Sequence, residues 1–237
     1  MSMVKTRSSR FLAVFLFLGG LLMALGAVTA SATEVVVLRS GNAPAGNPDP
    51  SITMLVGSGG APLSPNLFTT ADFDSACTGP NAMIALQPIS VWAQQLACDP
   101  LAQWIGIDAF NTPASVLFCQ PFDLQTCCID HATLTFCWVV DDGLGDYPGA
   151  GGPNTDGVYL NGVAVTPSIS GGNYATETTM VADVTGLVQC GANRLEVYNR
   201  DLGFAVSGVM YSATIEVEGC PTSTEHSTWG SIKSMYR

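Results

Sequence analysis

Basic residues are scarce in this chain, and charge of either sign is thin. Only 11% of its 237 residues are charged, with 8 Lys+Arg against 19 Asp+Glu. Three of the basic residues, Lys5, Arg7 and Arg10, stand at the extreme N-terminus, so the balance beyond them is 5 − 19 = −14. Nucleic acids and anionic membrane surfaces need basic patches, so neither is an expected partner. An acidic surface keeps a secreted protein soluble and permits divalent cations and neutral ligands. Histidine is nearly absent: His131 and His226 are the two in the chain, which leaves little for a metalloenzyme. There is no Gly-x-Ser-x-Gly elbow, no His-Glu-x-x-His and no Gly-rich phosphate loop. Glycoside hydrolysis needs two carboxyls held across a cleft, and no pattern here points to a cleft. The expectation is a protein that is not an enzyme. Beyond the N-terminal segment there is no long helix period and no apolar run of membrane-spanning length.

The N-terminus carries an export pattern. Lys5, Arg7 and Arg10 precede an uncharged apolar run from Phe11 to Thr29, and Ala30-Ser31-Ala32 follows as a small-x-small cleavage site. Cleavage is expected after Ala32, with Ala30 as second choice; an uncleaved anchor is the alternative, because the run is long enough to span a bilayer. The mature chain is then expected to be extracytoplasmic, secreted or at the cell surface, with no membrane insertion after cleavage. All eight cysteines (Cys77, Cys98, Cys119, Cys127, Cys128, Cys137, Cys190 and Cys220) follow that segment. An even count in an exported chain implies disulfides, and four bridges are expected.

The stretch His131–Val165 organises the rest. Leu134, Phe136, Trp138 and Val140 alternate with Thr133, Thr135, Cys137 and Val139, which is the period of a strand. Trp138 is assigned to the core. Asn161-Gly162 between Val158-Tyr159-Leu160 and Val163-Ala164-Val165 predicts a type I′ hairpin. Further strands are expected at 35–38, 52–56, 83–86, 89–94, 115–124, 174–183, 194–199 and 208–218. Pro121 inside one of them suggests an edge or a bulge. Many short strands between Gly/Pro/Asn turns predict an all-β sandwich or barrel.

Between the organising strand and the hairpin lies an acidic loop, where Asp141, Asp142, Asp146, Asn154 and Asp156 offer five oxygen side chains within sixteen residues. Calcium takes six to eight oxygens on a loop that curls around it, so these five are the candidate metal ligands. The competing reading is that they cap their own turns. Sugar binding needs an aromatic platform beside polar groups. Tyr147, on the loop itself, is the first candidate ligand-binding residue, with Tyr159 and Tyr174 beside it; Trp92 and Trp104 are further aromatics of this kind.

The order of pieces in Trp104–Glu218 resembles the galactose-binding-domain-like jelly roll of bacterial secreted and cell-surface proteins. The pieces are Phe118–Leu124, the strand ending in Asp141-Asp142, and Val158-Tyr159-Leu160-Asn161-Gly162. Asp183-Val184-Thr185 with Leu187, Gly191-Ala192-Asn193-Arg194-Leu195 and a closing strand that starts at Gly208 complete the set. The resemblance implies an antiparallel β-sandwich, often with a structural calcium, in a fold shared by sugar binders, lipid binders and structural modules. It also implies that the turns at 125–130 and 187–193 and the end of the last strand lie together. Cys127 and Cys128 should then pair with Cys190 and Cys220 in either order, with Cys77–Cys98 inside the preceding lobe and Cys119–Cys137 between neighbouring strands. The expected organisation is a signal peptide (1–32), irregular strands and loops of the same globular unit (33–103), the jelly roll (104–220) and a polar linker with a short tail (221–237). The tail, Trp229–Arg237, resembles short C-terminal tags on secreted proteins of environmental bacteria; it reads either as a sorting or docking tag or as a strand that pairs with the protein itself. Two functions follow: binding of a glycan or surface polymer at loop edges, calcium-dependent if the acidic loop holds the ion, or a structural or adhesive surface subunit docked through its tail.

Overall fold

The computed structural model describes residues 32–203 and 205–221. The expected signal segment, apart from Ala32, and the Trp229–Arg237 tail lie outside the described residues.

Twelve strands and one helix are present among the described residues. In order they are β1 (Thr33–Arg39), β2 (Pro48–Val56), α1 (Thr70–Thr78), β3 (Asn81–Ile84), β4 (Ile105–Gly106), β5 (Val116–Leu124) and β6 (Ile129–Asp141). They continue with β7 (Gly143–Leu144), β8 (Val158–Leu160), β9 (Val163–Ala164), β10 (Thr178–Asp183), β11 (Gly191–Arg200) and β12 (Gly208–Gly219). The pairings form one antiparallel path, β10-β6-β12-β4-β3-β2-β5-β11-β8-β9, with β1 on β12 and β7 on β11. The sheet curls on itself, so that β10-β6-β12 and β2-β5-β11-β8 share one core. Leu134, Phe136, Trp138 and Val140 of β6 enter that core together with Phe118, Phe122 and Leu124 of β5 and Leu195 and Val197 of β11. The result is an antiparallel β-sandwich with a loop-rich, disulfide-pinned N-terminal lobe.

Period-two alternation dictates this arrangement, because successive side chains of a strand leave on opposite faces. On β6 the residues between the core positions, Cys137 and Val139, face outward and are covered by Trp92, Leu96, Ala102 and Trp104 of the lobe. Trp92 and Trp104 pack with ring centroids 4.1 Å apart. On the other half, Phe73 and Ala76 of α1 cover Leu117 and Cys119 of β5 and Tyr159 and Tyr198. Pro121 pairs with Arg194 of β11 but lies past the last β2 partner, Thr53↔Cys119, so its missing N–H leaves no ladder bond unmade. Asn161 and Gly162 both take positive φ, 54° and 77°, as the hairpin requires.

Three expectations are corrected. Residues 89–94 are not a strand; they belong to turns that bury Trp92 and Leu96 on the outer face of β6 and β12. Helix α1 was not expected, although its start is written in Thr69-Thr70-Ala71-Asp72: Thr69 N–H donates to Asp72 Oδ2 at 2.7 Å and Asp72 N–H to Thr69 Oγ1 at 3.4 Å, a capping box. The bridges differ as well. Cys127–Cys190 and Cys128–Cys220 are present as expected, but Cys77 pairs with Cys119, with Cα atoms 5.0 Å apart. The reason is α1, which packs on the outer face of β5 and sets Cys77 against Cys119 there. Cys119 and Cys137 sit on strands in different halves of the sandwich and have no shared ladder.

Candidate functional site

The strand registers gather several loops at one end of the sandwich. Val56 ends β2 opposite Val116, which starts β5; Val116 faces Asn199, next to last in β11; Gly208 starts β12 opposite Asp141, which ends β6. Loops 57–69, 107–115, 142–157 and 201–207 therefore leave from this end.

Asp141 is almost buried, 7% exposed, and its Oδ2 accepts from Trp92 Nε1 at 2.9 Å. Asp142 Oδ2 accepts from Leu202 N–H at 2.6 Å. Asp201 lies on the neighbouring loop, its Oδ2 accepting from Gly60 N–H at 2.9 Å. Burial pushes the Asp141 carboxyl up to about 7; its hydrogen bond with Asp142, the charge of Asp142 and the more distant Asp201 push the same way, while Trp92 pulls back. Two carboxylates in hydrogen-bond range cannot both ionise freely without a proton or a cation between them.

The other expected ligands are engaged differently. Asp146 is buried; Oδ1 meets Arg200 Nε at 3.1 Å and accepts from Tyr198 Oη at 3.1 Å, and Oδ2 accepts from Asn154 N–H at 2.9 Å. Asn154 Oδ1 accepts from Phe68 N–H at 2.7 Å, and its Nδ2 donates to Asn66 O at 2.9 Å. These two side chains tie the acidic loop to β11 and to the 57–69 loop. Asp156 is half-buried and accepts, through its backbone carbonyl, the Tyr159 hydroxyl at 2.9 Å. Four of the five oxygen side chains thus divide: Asp141 and Asp142 stand together, and Asp146 and Asn154 brace the loop.

The tyrosines divide in the same way. Tyr147 is half-buried, its ring lying where a side chain at Gly143 would be. Burial and the Asp142 charge push its hydroxyl up. Tyr174 is 41% exposed, and its carbonyl accepts from Ala93 N–H at 2.8 Å. Tyr159 is packed among Phe68, Phe73 and Tyr198 and offers no free face. Trp104 is likewise core, its Nε1 donating to Ala93 O at 2.7 Å.

Sequence reasoning missed Asp201, Arg200 and Phe110. Phe110 is 76% exposed on the 107–115 loop at the same end. The only signal for the first two was an Arg-Asp pair directly after an apolar strand. A separate cavity of about 400 Å³ opens on the α1 side, lined by Cys77, Cys119, Pro121, Asn161, Asn193 and Arg194. Its amides are spent on each other and on backbone: Asn161 Nδ2 donates to Asn193 Oδ1 at 2.9 Å and Asn193 Nδ2 to Gln189 O at 2.7 Å. Deeper, Glu196 is fully buried, with Arg194 Nε 2.7 Å from Oε1. Burial pushes its carboxyl up to about 7 against the pull of Gly162 N–H and Arg194. A third cluster lies further back along β6, where Cys98 Sγ, Cys137 Sγ and a Glu177 carboxylate oxygen fall within 4.8 Å of one another.

No protein-family model matches the chain, and no curated protein matches it. Among solved structures, the native structure of a family 35 carbohydrate binding module from Clostridium thermocellum is similar at 12% identity and a TM-score of 0.31. The match covers 56% of this chain and 86% of that one.

Proposed function

We propose that this chain is an exported, non-catalytic β-sandwich that binds glycans or surface polymers at its loop end, with calcium held at Asp141 and Asp142. The observation that carries the reading is the carboxylate pair at the end of β6, with Asp141 buried under Trp92 and within the field of Asp201. A divalent cation removes the repulsion between them, and the surrounding loops supply the backbone oxygens that calcium also takes. Tyr147 beside the pair, Phe110 exposed on the 107–115 loop, and Tyr174, next to the Asn173 carbonyl that accepts from Val140 N–H, are the aromatic faces on which a sugar ring stacks. Asp146 and Asn154 keep the acidic loop ordered, which lowers the entropy lost on binding. The three disulfides fit an oxidising compartment.

A glycan array run with calcium and with a chelator tests this. The intact chain should bind in calcium only, Asp142→Asn should lose binding, and Tyr147→Ala should weaken it while keeping the calcium-induced rise in melting temperature. A chain that binds no glycan, or binds equally in chelator, overturns the corresponding half of the reading.

One observation favours a structural or adhesive surface subunit instead. Val35 and Val37 of β1 and Val181 of β10 are exposed on the outer face of one half of the sandwich, with Thr214 and Thr135 between Val37 and Val181 by register. Recovery of the native protein as a polymer or an envelope subunit, with no glycan bound, selects this reading.

A further inference from the structure

We propose that Cys98 and Cys137 form a fourth disulfide, which locks the N-terminal lobe onto the middle strand of the β10-β6-β12 half. Six of the eight cysteines are already paired, and the remaining two come from segments far apart in sequence yet lie side by side. Cys137 points outward from β6 and is buried under the lobe, where its Sγ accepts from Thr179 Oγ1 at 3.4 Å. Cys98 is exposed on the lobe, beside the Ala97 N–H that donates to Glu177 Oε2. The lobe also carries Trp92, the donor to Asp141, so the bridge fixes the wall against which that carboxylate rests.

The exposed thiol reacts first. The Cys98 thiolate attacks a disulfide of an exchange partner, a thiol–disulfide oxidoreductase or a small-molecule disulfide, and expels one partner thiolate. The Cys137 thiolate then attacks Cys98 Sγ and expels the second. The protein loses two protons and two electrons, and the partner disulfide becomes a dithiol. The same three groups are also donors for a soft divalent ion such as zinc. That use requires both thiols to stay reduced, which an oxidising compartment opposes.

The test uses the full chain exported into an oxidising compartment and denatured in excess iodoacetamide without reductant. The expected mass shows no alkylation, rising to eight additions after reduction, and non-reducing peptide mapping links Cys98 to Cys137. Cys98→Ser, an exposed position that leaves folding intact, should gain one alkylation, at Cys137. Two additions on Cys98 and Cys137 with the other three bridges intact overturn the proposal. So does either cysteine mapped to another partner, or one zinc per chain that Cys98→Ser abolishes.

Discussion

Replacing Asp141 with Asn removes one ionisable group and keeps its shape, and the effect on stability is set by the direction of the carboxyl's shift. In the fold this carboxyl is raised from an ordinary 3.8 to about 7. A group raised on folding contributes stability that is fully present below its unfolded value and is lost as pH rises through its folded value. The wild type should therefore lose stability between about pH 4 and pH 7. The shift is about three pH units, and each is worth ~1.4 kcal/mol, so the ceiling is about 4 kcal/mol. The effective dielectric near a protein surface is well above that of a dry interior, which reduces this to about 2 kcal/mol. In a chain of this size that is a fall of roughly 4–8 °C in melting temperature. Glu196, also raised to about 7, adds a loss in the same window. The carboxylates lowered by the fold, Glu34, Asp108 and Asp183, lose their contribution only as pH falls, on the acid side of the assay range. The assay is thermal unfolding from pH 5 to pH 8 in chelator. Asp141→Asn keeps an oxygen for Trp92 Nε1 and should flatten the wild-type slope by about half, and Asp141→Asn with Glu196→Gln should flatten it nearly fully. Calcium at pH 8 should restore the wild type but not the Asn variant. Superimposable pH profiles for wild type and Asp141→Asn would refute the reasoning.

Arg200→Met should leave Asp146 buried without its cation and cost about 3–5 kcal/mol in chemical denaturation; a cost below 1 kcal/mol would show the pair to be redundant. Phe136→Ala, at the centre of the shared core, should cost about 3–5 kcal/mol by the same measurement. Asn161→Ala loses a residue that tolerates positive φ together with its amide bonds to Leu187 O and Asn193 Oδ1, and should cost about 2 kcal/mol, with Asn161→Gly recovering the backbone part alone. Cys77→Ala with Cys119→Ala should lower stability by about 2–5 kcal/mol and free α1 to protease before the rest of the chain.

What was readable in the sequence is what depends on neighbours along the chain. The alternation of Leu134, Phe136, Trp138 and Val140 placed those four in the core, because a strand's faces follow from parity alone. Asn161-Gly162 announced its turn because few residues accept positive φ twice in succession. The capping box at Thr69–Asp72 is equally local, a start signal that lies wholly within four residues. Trp92 and Trp104, by contrast, were legible only as aromatics: whether such a ring is a sugar platform or core depends on what covers it, and here they cover each other on the outside of β6 and β12.

By itself the sequence determined the all-β class, the organising strand, the hairpin and the acidic chemistry of one loop, since each rests on period, turn stereochemistry or composition. The tertiary structure alone decided which oxygens meet. Asp141 and Asp142 stand together because β6 ends there, whereas Asp146 is drawn to Arg200, a residue far along the chain that curling of the sheet brings to the same end. It also decided which cysteines meet, pairing Cys77 with Cys119 through α1 and leaving Cys98 beside Cys137. Contacts of that kind depend on how the sheet closes, a property of the whole chain that no local window contains.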